Sequence, residues 1–258
     1  MNVKKIVLLA NHNNGFNITN FLLKRKDARI VKIVVYRDAP KRWWKSVLEL
    51  AKEKNLDCII FASNSQLLKE LKNLDIDLLL SVSWRHKIPA NILKLPKMGC
   101  VSFHNSLLPM FRGAYANTWP ILLGHNKTGV TLHYMSKTFD SGKIIMQKQI
   151  PIFPWDTAGS LWQRINAGYL LLFKKAWARV DSWKNLSRPQ KGKSSYFSIQ
   201  DFEANNEIDL NKKVKILDFI NFLRAKTFEP FYKNAFFIDK KSGKKIYVSL
   251  NLVPEKSS

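Results

Sequence analysis

Between Lys4 and His104, short β-rich apolar runs alternate with segments of helix length, and this alternation narrows the possible folds most. The runs are residues 4–10, 29–36, 57–62, 77–84 and 100–104. The intervening segments carry helical patterns. Residues 17–26 read as one helix. Residues 41–54, opened by Pro40, read as a second, with Trp43, Val47, Leu48, Leu50 and Ala51 on one side. Proline is tolerated at a helix start because its missing N–H would have no partner there. The Trp43–Trp44 pair reads as packing on this helix. Ser65 is placed to cap a third helix, residues 65–74. A β-α-β order repeated in this way demands parallel strands with helical crossovers. The expected fold is therefore α/β, a Rossmann-like open and mostly parallel sheet with helices on both faces. Ligands in such sheets bind beyond the carboxyl ends of the strands, and His104 stands at the end of the fifth run.

The remainder of the chain changes character twice. Residues 107–113 form a loop containing Pro109 and Gly113, and 114–124 read as a helix ending on Gly124, interrupted by Pro120. Residues 128–135 and 143–150 alternate like strands, joined through Ser136 to Gly142. Asp156 and Thr157 open the longest helical pattern, running to Trp183, with Leu161, Ile165, Leu170, Leu171, Phe173 and Ala176 as its apolar positions. The stretch from Ser187 to Gly192 is a polar linker. The expected division is a main domain, 1–186, followed by a linker and a small C-terminal region, 187–258. That region should hold a helix, 214–224, and a β-hairpin of residues 235–239 and 244–252 turning through Lys240–Gly243. An isolated hairpin is marginal, so it should pack on the main domain or on a second copy of the chain.

Charge is the unusual bulk property. Lys and Arg number 43 against 19 Asp and Glu, a net of +24, which suits anionic ligands. The lysines are spread in short clusters such as Lys4-Lys5, Lys212-Lys213 and Lys240-Lys241. That reads as a solvated basic surface that also gathers anions, rather than a dedicated nucleic-acid site. The two cysteines, Cys58 and Cys100, lie in apolar runs and read as buried reduced thiols without metal-ligand spacing. No apolar run reaches the roughly 18 residues of a membrane span. Residues 1–10 lack the features of a secretory leader, so a cytoplasmic protein is expected, with no membrane partner.

Three features carry chemistry. His104 follows a strand and precedes a turn, where an imidazole can exchange protons near neutral pH. Asp140, in Phe139-Asp140-Ser141-Gly142, offers a carboxylate that can fix an imidazole's tautomer and support its charge. Arg112-Gly113, between them, offers a permanent cation. His133 alternates inward on a strand and reads as structural. His12, among Asn11, Asn13, Asn14 and Gly15 after the first run, can contact phosphate or sugar.

Taken in order, His104-x-Ser106-Leu107-Leu108-Pro109-x-x-Arg112-Gly113, Trp119, Gly124, Gly129-Val130-Thr131-x-His133 and Asp140-x-Gly142-x-Ile144 resemble the 10-formyltetrahydrofolate-dependent formyltransferases. The resemblance covers roughly residues 75–180 well. It implies that His104 assists attack on a formyl carbon, that Asp140 is its partner, and that no metal is needed. It implies a folate pocket from Ser83, Trp84, Arg85 and Ile88, with Ser136 and Asp140 on the other wall. One position departs from the family. Its oxyanion-holding asparagine, two residues before the histidine, is Ser102 here. Losing such a donor can cost about 10²–10³ in rate, so either Ser102 with a water takes over, or Asn105 or Asn117 swings in, or the enzyme is slow. Arg112, Asn105 and His12 are the candidates for touching an anionic acceptor.

The tail bears on which amine is used. Arg224-Ala225-x-Thr227-Phe228-x-Pro230 followed by Ala235-Phe236-Phe237 resembles the tail of sugar N-formyltransferases. The expected acceptor is then a nucleotide-linked amino sugar, dTDP-linked, for surface-polysaccharide synthesis, and the expected assembly is a homodimer through the aromatic tail. An acceptor such as methionyl-tRNA, or a non-catalytic nucleic-acid-binding protein on a decayed formyltransferase scaffold, stays open at this point.

Overall fold

The computed structural model describes residues 3–39, 44–204, 206–228 and 234–255. The first half alternates as its apolar runs dictate: β1 (Lys4–Ala10), α1 (His12–Leu23), β2 (Ala28–Val35), α2 (Val47–Glu53), β3 (Cys58–Ile60), α3 (Asn64–Leu71), β4 (Leu78–Val82), α4 (Ala90–Leu93) and β5 (Cys100–His104). The second half holds β6 (Arg112–Gly113), α5 (Trp119–Leu122), β7 (Lys127–Tyr134), β8 (Ile144–Pro151) and α6 (Ala158–Trp177). A 3-10 turn, Val180–Ser182, leads into α7 (Trp183–Leu186), β9 (Tyr196–Phe197), α8 (Ile199–Glu203), α9 (Ile216–Lys226), β10 (Ala235–Ile238) and β11 (Lys245–Val248).

Seven strands form one sheet in the order β3-β2-β1-β4-β5-β7-β8. β1 to β5 pair in parallel, while β5 and β7 are antiparallel. Strand order reverses between β1 and β4, so right-handed crossovers send α1 and α2 to one face and α3 and α4 to the other. β1 is buried from Ile6 to Ala10 and β4 along its whole length. A strand covered on both faces is continuously apolar rather than alternating, which is why these runs stand out in the sequence.

Two compact units emerge. One comprises Met1–His104, Thr131–Gln147 and Tyr169–Gln190, and the other Asn105–Val130, Lys148–Gly168 and Lys191–Ser258. Inside the second, β6 pairs in parallel with β9. Trp119 stacks on Phe197 at 3.9 Å, and Tyr115 stacks on Phe202 at 4.1 Å. Asp156, its side chain 1% exposed, receives a two-pronged Arg164 guanidinium at 2.6 and 2.7 Å. It also accepts from the Phe153 N–H and the Ser160 hydroxyl. Arg224, on α9, donates to the Asp156 and Phe153 carbonyls and to Asn221. Lys226 is 1% exposed, with its amino group 3.4 Å from the Phe202 ring centroid and bonded to the Phe202 carbonyl and Asn206. Burial pushes its pKa down to about 8.

Several sequence expectations change. α1 begins at His12 rather than Asn17. The second helix begins at Val47, capped by Ser46; Pro40 and Trp43, expected to open it, lie outside the described residues. Ser63, not Ser65, caps α3, accepting from the Gln66 N–H. The helix expected over 114–124 shrinks to α5, because turns at 114–118 precede Pro120 at the helix start. α6 stops at Trp177, and the chain reaches Trp183 through the 3-10 turn. Leu171, one of the apolar positions read for this helix, is 58% exposed, while Tyr169 and Leu172 are buried. Cys100 is buried but Cys58 only half so; burial raises their thiols to about 12 and about 11. The short elements β9 and α8 have no counterpart among the segments expected from the sequence. The C-terminal helix and hairpin occur as expected, with α9 shifted to Ile216–Lys226 and β10 paired antiparallel to β11. Glu229 to Lys233 of the tail motif lie outside the described residues.

The Asp156 cluster yields a stability prediction. Burial alone would raise the Asp156 pKa, but Arg164, the Phe153 N–H and Ser160 together hold it below its ordinary 3.8. Its contribution is therefore full above that unfolded value and lost as pH falls through the lower folded one. Asp156→Ala should cost about 3 kcal/mol in urea unfolding at pH 7, because it strands Arg164. The gap to wild type should narrow in acid.

Candidate active site

β5 lies between β4 and β7 in the sheet and ends at the carboxyl edge of the parallel strands, where an open α/β sheet binds ligands. His104 is the last residue of β5 and is 7% exposed. The sheet register sets Ser102 opposite both Ser81 on β4 and His133 on β7, and sets His104 opposite Thr131. Paired residues share a face, so Ser81, Ser102 and His133 form one row and His104 the next along β5.

Asp140 closes this row from the loop between β7 and β8. Its Oδ2 lies 3.4 Å from His104 Nδ1 and its Oδ1 lies 3.6 Å from His133 Nε2. One carboxylate thus bridges two imidazoles. The other nitrogen of His133, Nδ1, is 2.8 Å from the Tyr134 carbonyl. A carbonyl only accepts, so Nδ1 carries the hydrogen. Tyr169, fully buried, is pushed up by burial and then by the Asp140 charge.

The loop bearing Asp140 is tightly tied. Asp140 itself has φ +53°, a left-handed conformation that Asp adopts more readily than most residues. Ser136 Oγ lies 2.8 Å from Ser141 Oγ, and both hydroxyls donate to the Thr138 carbonyl. Gly142 is required, since a Cβ there would collide with the Tyr134 carbonyl. Gln190 donates to the Asp140 and Gly142 carbonyls at 2.7 and 2.8 Å.

The sequence-assigned folate wall lies at the end of β4. Ser83 has φ +55°, turning the chain sharply after Val82. Trp84 stacks on Tyr36 at 4.5 Å, and the Arg85 guanidinium covers that ring at 4.6 Å. The Tyr36 hydroxyl accepts from the Arg85 N–H. The buried Trp84 indole N–H has no acceptor among the described residues. Ile88, 2% exposed, belongs to the core cluster with Leu67 and Ile92. His12 has φ +58° and its ring centroid lies 4.3 Å from that of Trp44. Its pKa is lowered first by burial and then by Arg85, against an opposing pull from Asp38.

The structure therefore brings His104, Asp140, Ser102 and His133 together on one sheet edge. Among the described residues, Ser102 Oγ has only long contacts, 3.3 Å to Ser81 Oγ and 3.5 Å to the Phe103 carbonyl. Arg112, on β6, and Asn105 belong to the second compact unit. There the Arg112 N–H donates to the Ser195 carbonyl. Buried Asn117, in the same unit, reaches the Ala158 carbonyl at 3.4 Å. His133 and Gln190, which contact Asp140 or its loop, are not among the site candidates read from the sequence. His133 carried a signal, its place in the Gly-Val-Thr-x-His run; Gln190 carried none. Among the described residues no group of three or more His, Cys, Asp or Glu side chains could hold a metal ion, and no helix is long and apolar enough to cross a membrane.

Comparison with known proteins adds family. Residues 4–169 match the formyl transferase model, and residues 201–254 match the N-formyltransferase dimerization C-terminal domain. The chain is 34% identical over 196 residues to GDP-perosamine N-formyltransferase of Brucella melitensis, covering 76% of this chain and 73% of that protein. A 4-N formyltransferase from Francisella tularensis superposes with TM-score 0.80 at 25% identity, covering 98% of this chain and 99% of that one. An N-formyltransferase from Helicobacter canadensis, in complex with folinic acid and dTDP-3-aminofucose, gives TM-score 0.70 at 26% identity over 86% of this chain and 80% of that one. The chain belongs to the formyl transferase family, as an N-formyltransferase with the dimerization C-terminal domain.

Proposed function

We propose that the chain is a folate-dependent sugar N-formyltransferase. It moves a formyl group from 10-formyltetrahydrofolate to the amino group of a nucleotide-linked amino-dideoxy sugar, in the cytoplasm, for surface-polysaccharide synthesis. The observation that carries this reading is the carboxylate of Asp140 set 3.4 Å from His104 Nδ1, in a chain whose C-terminal region matches the N-formyltransferase domain. The Helicobacter relative's dTDP-sugar supports dTDP as the carrier, and the Brucella relative's name supports GDP. The net charge of +24 fits two anionic ligands, a nucleotide diphosphate and a folate. It also fits an RNA-linked amine, but the match over 201–254 favours the sugar. We read residues 1–186 as the catalytic stretch and 187–258 as the linker and the small region through which two copies pair.

The residues suit a folate donor. Ser83 turns the backbone at the end of β4, and the Trp84 indole N–H is a buried donor without an acceptor among the described residues. Trp84, Arg85 and Ser83 would form one wall and the Ser136–Asp140 loop the other, with Ile88 supporting from the core. When bound, the donor supplies the formyl carbon. Asp140 accepts from His104 Nδ1–H, which leaves Nε2 as the nitrogen available for proton transfer and lets the carboxylate stabilise the imidazolium. A protonated His104 then offsets the negative charge that develops on the formyl oxygen as the amine attacks. Ser102, in the next row of β5, offers a hydroxyl donor to the same oxygen directly or through a water. His12, Arg112 and Asn105 are the side chains proposed to hold the acceptor.

The reading is tested by incubating the protein with 10-formyltetrahydrofolate and a panel of dTDP-, GDP- and UDP-amino sugars, following tetrahydrofolate release and the mass gain of the sugar. Turnover with one member is expected; silence across the panel with folate still bound would sink the sugar assignment. His104→Ala and Asp140→Ala should each lower kcat by about 10²–10⁴ while leaving the unfolding midpoint near wild type. Ser102→Asn should hold or raise kcat. A dead Ser102→Asn enzyme would mean that the pocket is built around serine.

A further inference from the structure

Gln190 lies in the linker, between the stretches 4–169 and 201–254 that match the two family models. Its side-chain amide spends both hydrogens on the loop that presents Asp140, one on the carbonyl of Asp140 itself and one on that of Gly142. The linker is fixed there by its own backbone. Arg188 and Ile144 exchange two backbone hydrogen bonds at 2.8 and 2.9 Å, an antiparallel bridge onto the start of β8. The Arg188 guanidinium reaches Gln147, which donates to Thr131, and Thr131 is the residue opposite His104. Residues 188–190 thus act as a short strap along β8 whose last side chain grips the loop.

That grip matters because Asp140 sits at φ +53°. A non-glycine residue keeps such a conformation only where its surroundings over-determine it. The hydroxyl web of Ser136 and Ser141 ties the loop to itself, whereas Gln190 ties it to the body of the first unit. We propose that Gln190 is a positioning residue for formyl transfer: it holds the Asp140 turn from outside, so that the carboxylate stays aimed at His104 and His133. The proposal rests on the formyl-transfer reading for its kinetic arm only.

An isosteric substitution separates this role from mere space-filling. Glu has the shape of Gln but carries no N–H, and when ionised it would turn oxygen toward two carbonyl oxygens. Wild type, Gln190→Ala and Gln190→Glu are compared in two ways. Amide hydrogen exchange over residues 136–142 is read without ligands, and kcat and KM are read with the accepted amino-sugar nucleotide. Exchange in the loop should quicken on the order of tenfold in Gln190→Ala and at least as much in Gln190→Glu. The kcat should fall by a similar factor in Gln190→Ala and further in Gln190→Glu, with KM for the acceptor little changed. Gln190→Asn, too short to span both carbonyls, substitutes for Gln190→Glu if that variant does not fold. Wild-type kcat in Gln190→Glu, or unchanged loop exchange in both variants, would overturn the proposal. If wild type turns over no acceptor, the functional reading fails and loop exchange alone decides on Gln190.

Discussion

Because β7 runs antiparallel to β5, Ser102 comes to lie opposite His133 and His104 opposite Thr131, and a slip of one residue would turn each of these side chains to the other face. The register is what converts three separate sequence signals into one site. It places two imidazoles on adjacent rows, at a spacing that a single carboxylate from the following loop can span. Two close-packed glycines flank that stretch of β7 on either side. Gly129 lets β7 pass the Lys148 carbonyl and the Leu107 side chain, and Gly142 lets the loop fold back under the Tyr134 carbonyl. In both places any side chain would force backbone apart.

The energetics follow a division of labour. The first strands are buried on both faces and owe their stability to apolar area. The second unit instead gathers buried charge at Asp156, Arg224 and Lys226, with the half-buried Arg164 pairing Asp156. Such groups are tolerated because nearly every polar atom is answered by a carbonyl, an amide or a counter-charge. Such clusters lose far more when one partner is removed than they contribute in net stability. Here they fix where α9 meets the start of α6.

Much of this was legible in the sequence, for reasons that differ by region. The parallel strands were readable because double burial makes them continuously apolar, and residues 4–10 and 100–104 matched their strands end to end. That His104 and Asp140 come together was readable because their motifs occur in order. Helix starts were harder. Ser63 and Ser65 are equivalent by composition, and only the hydrogen bond to the Gln66 N–H separates them. Leu171 and Leu172 are likewise interchangeable by type, yet one faces solvent. β9 and α8 were invisible because two- and five-residue elements have no period to detect. The part of Gln190 was illegible for a deeper reason: a glutamine in a polar linker has no local pattern, and its two acceptors lie about fifty residues back along the chain.

The state of the two thiols has a practical side. Cys100, the first residue of β5, is buried with its thiol raised to about 12, and Cys58, half-buried on β3, is raised to about 11. Nucleophilic sulfur chemistry needs the thiolate, so near neutral pH both sulfurs stay almost wholly protonated and slow toward electrophiles. The natural chain thus provides a nearly silent background for labelling. A cysteine introduced at an exposed loop position such as Phe139, 43% exposed, would take a maleimide or a spin probe almost alone. The motions of the segment that carries Asp140 could then be followed by spectroscopy without first removing the native cysteines.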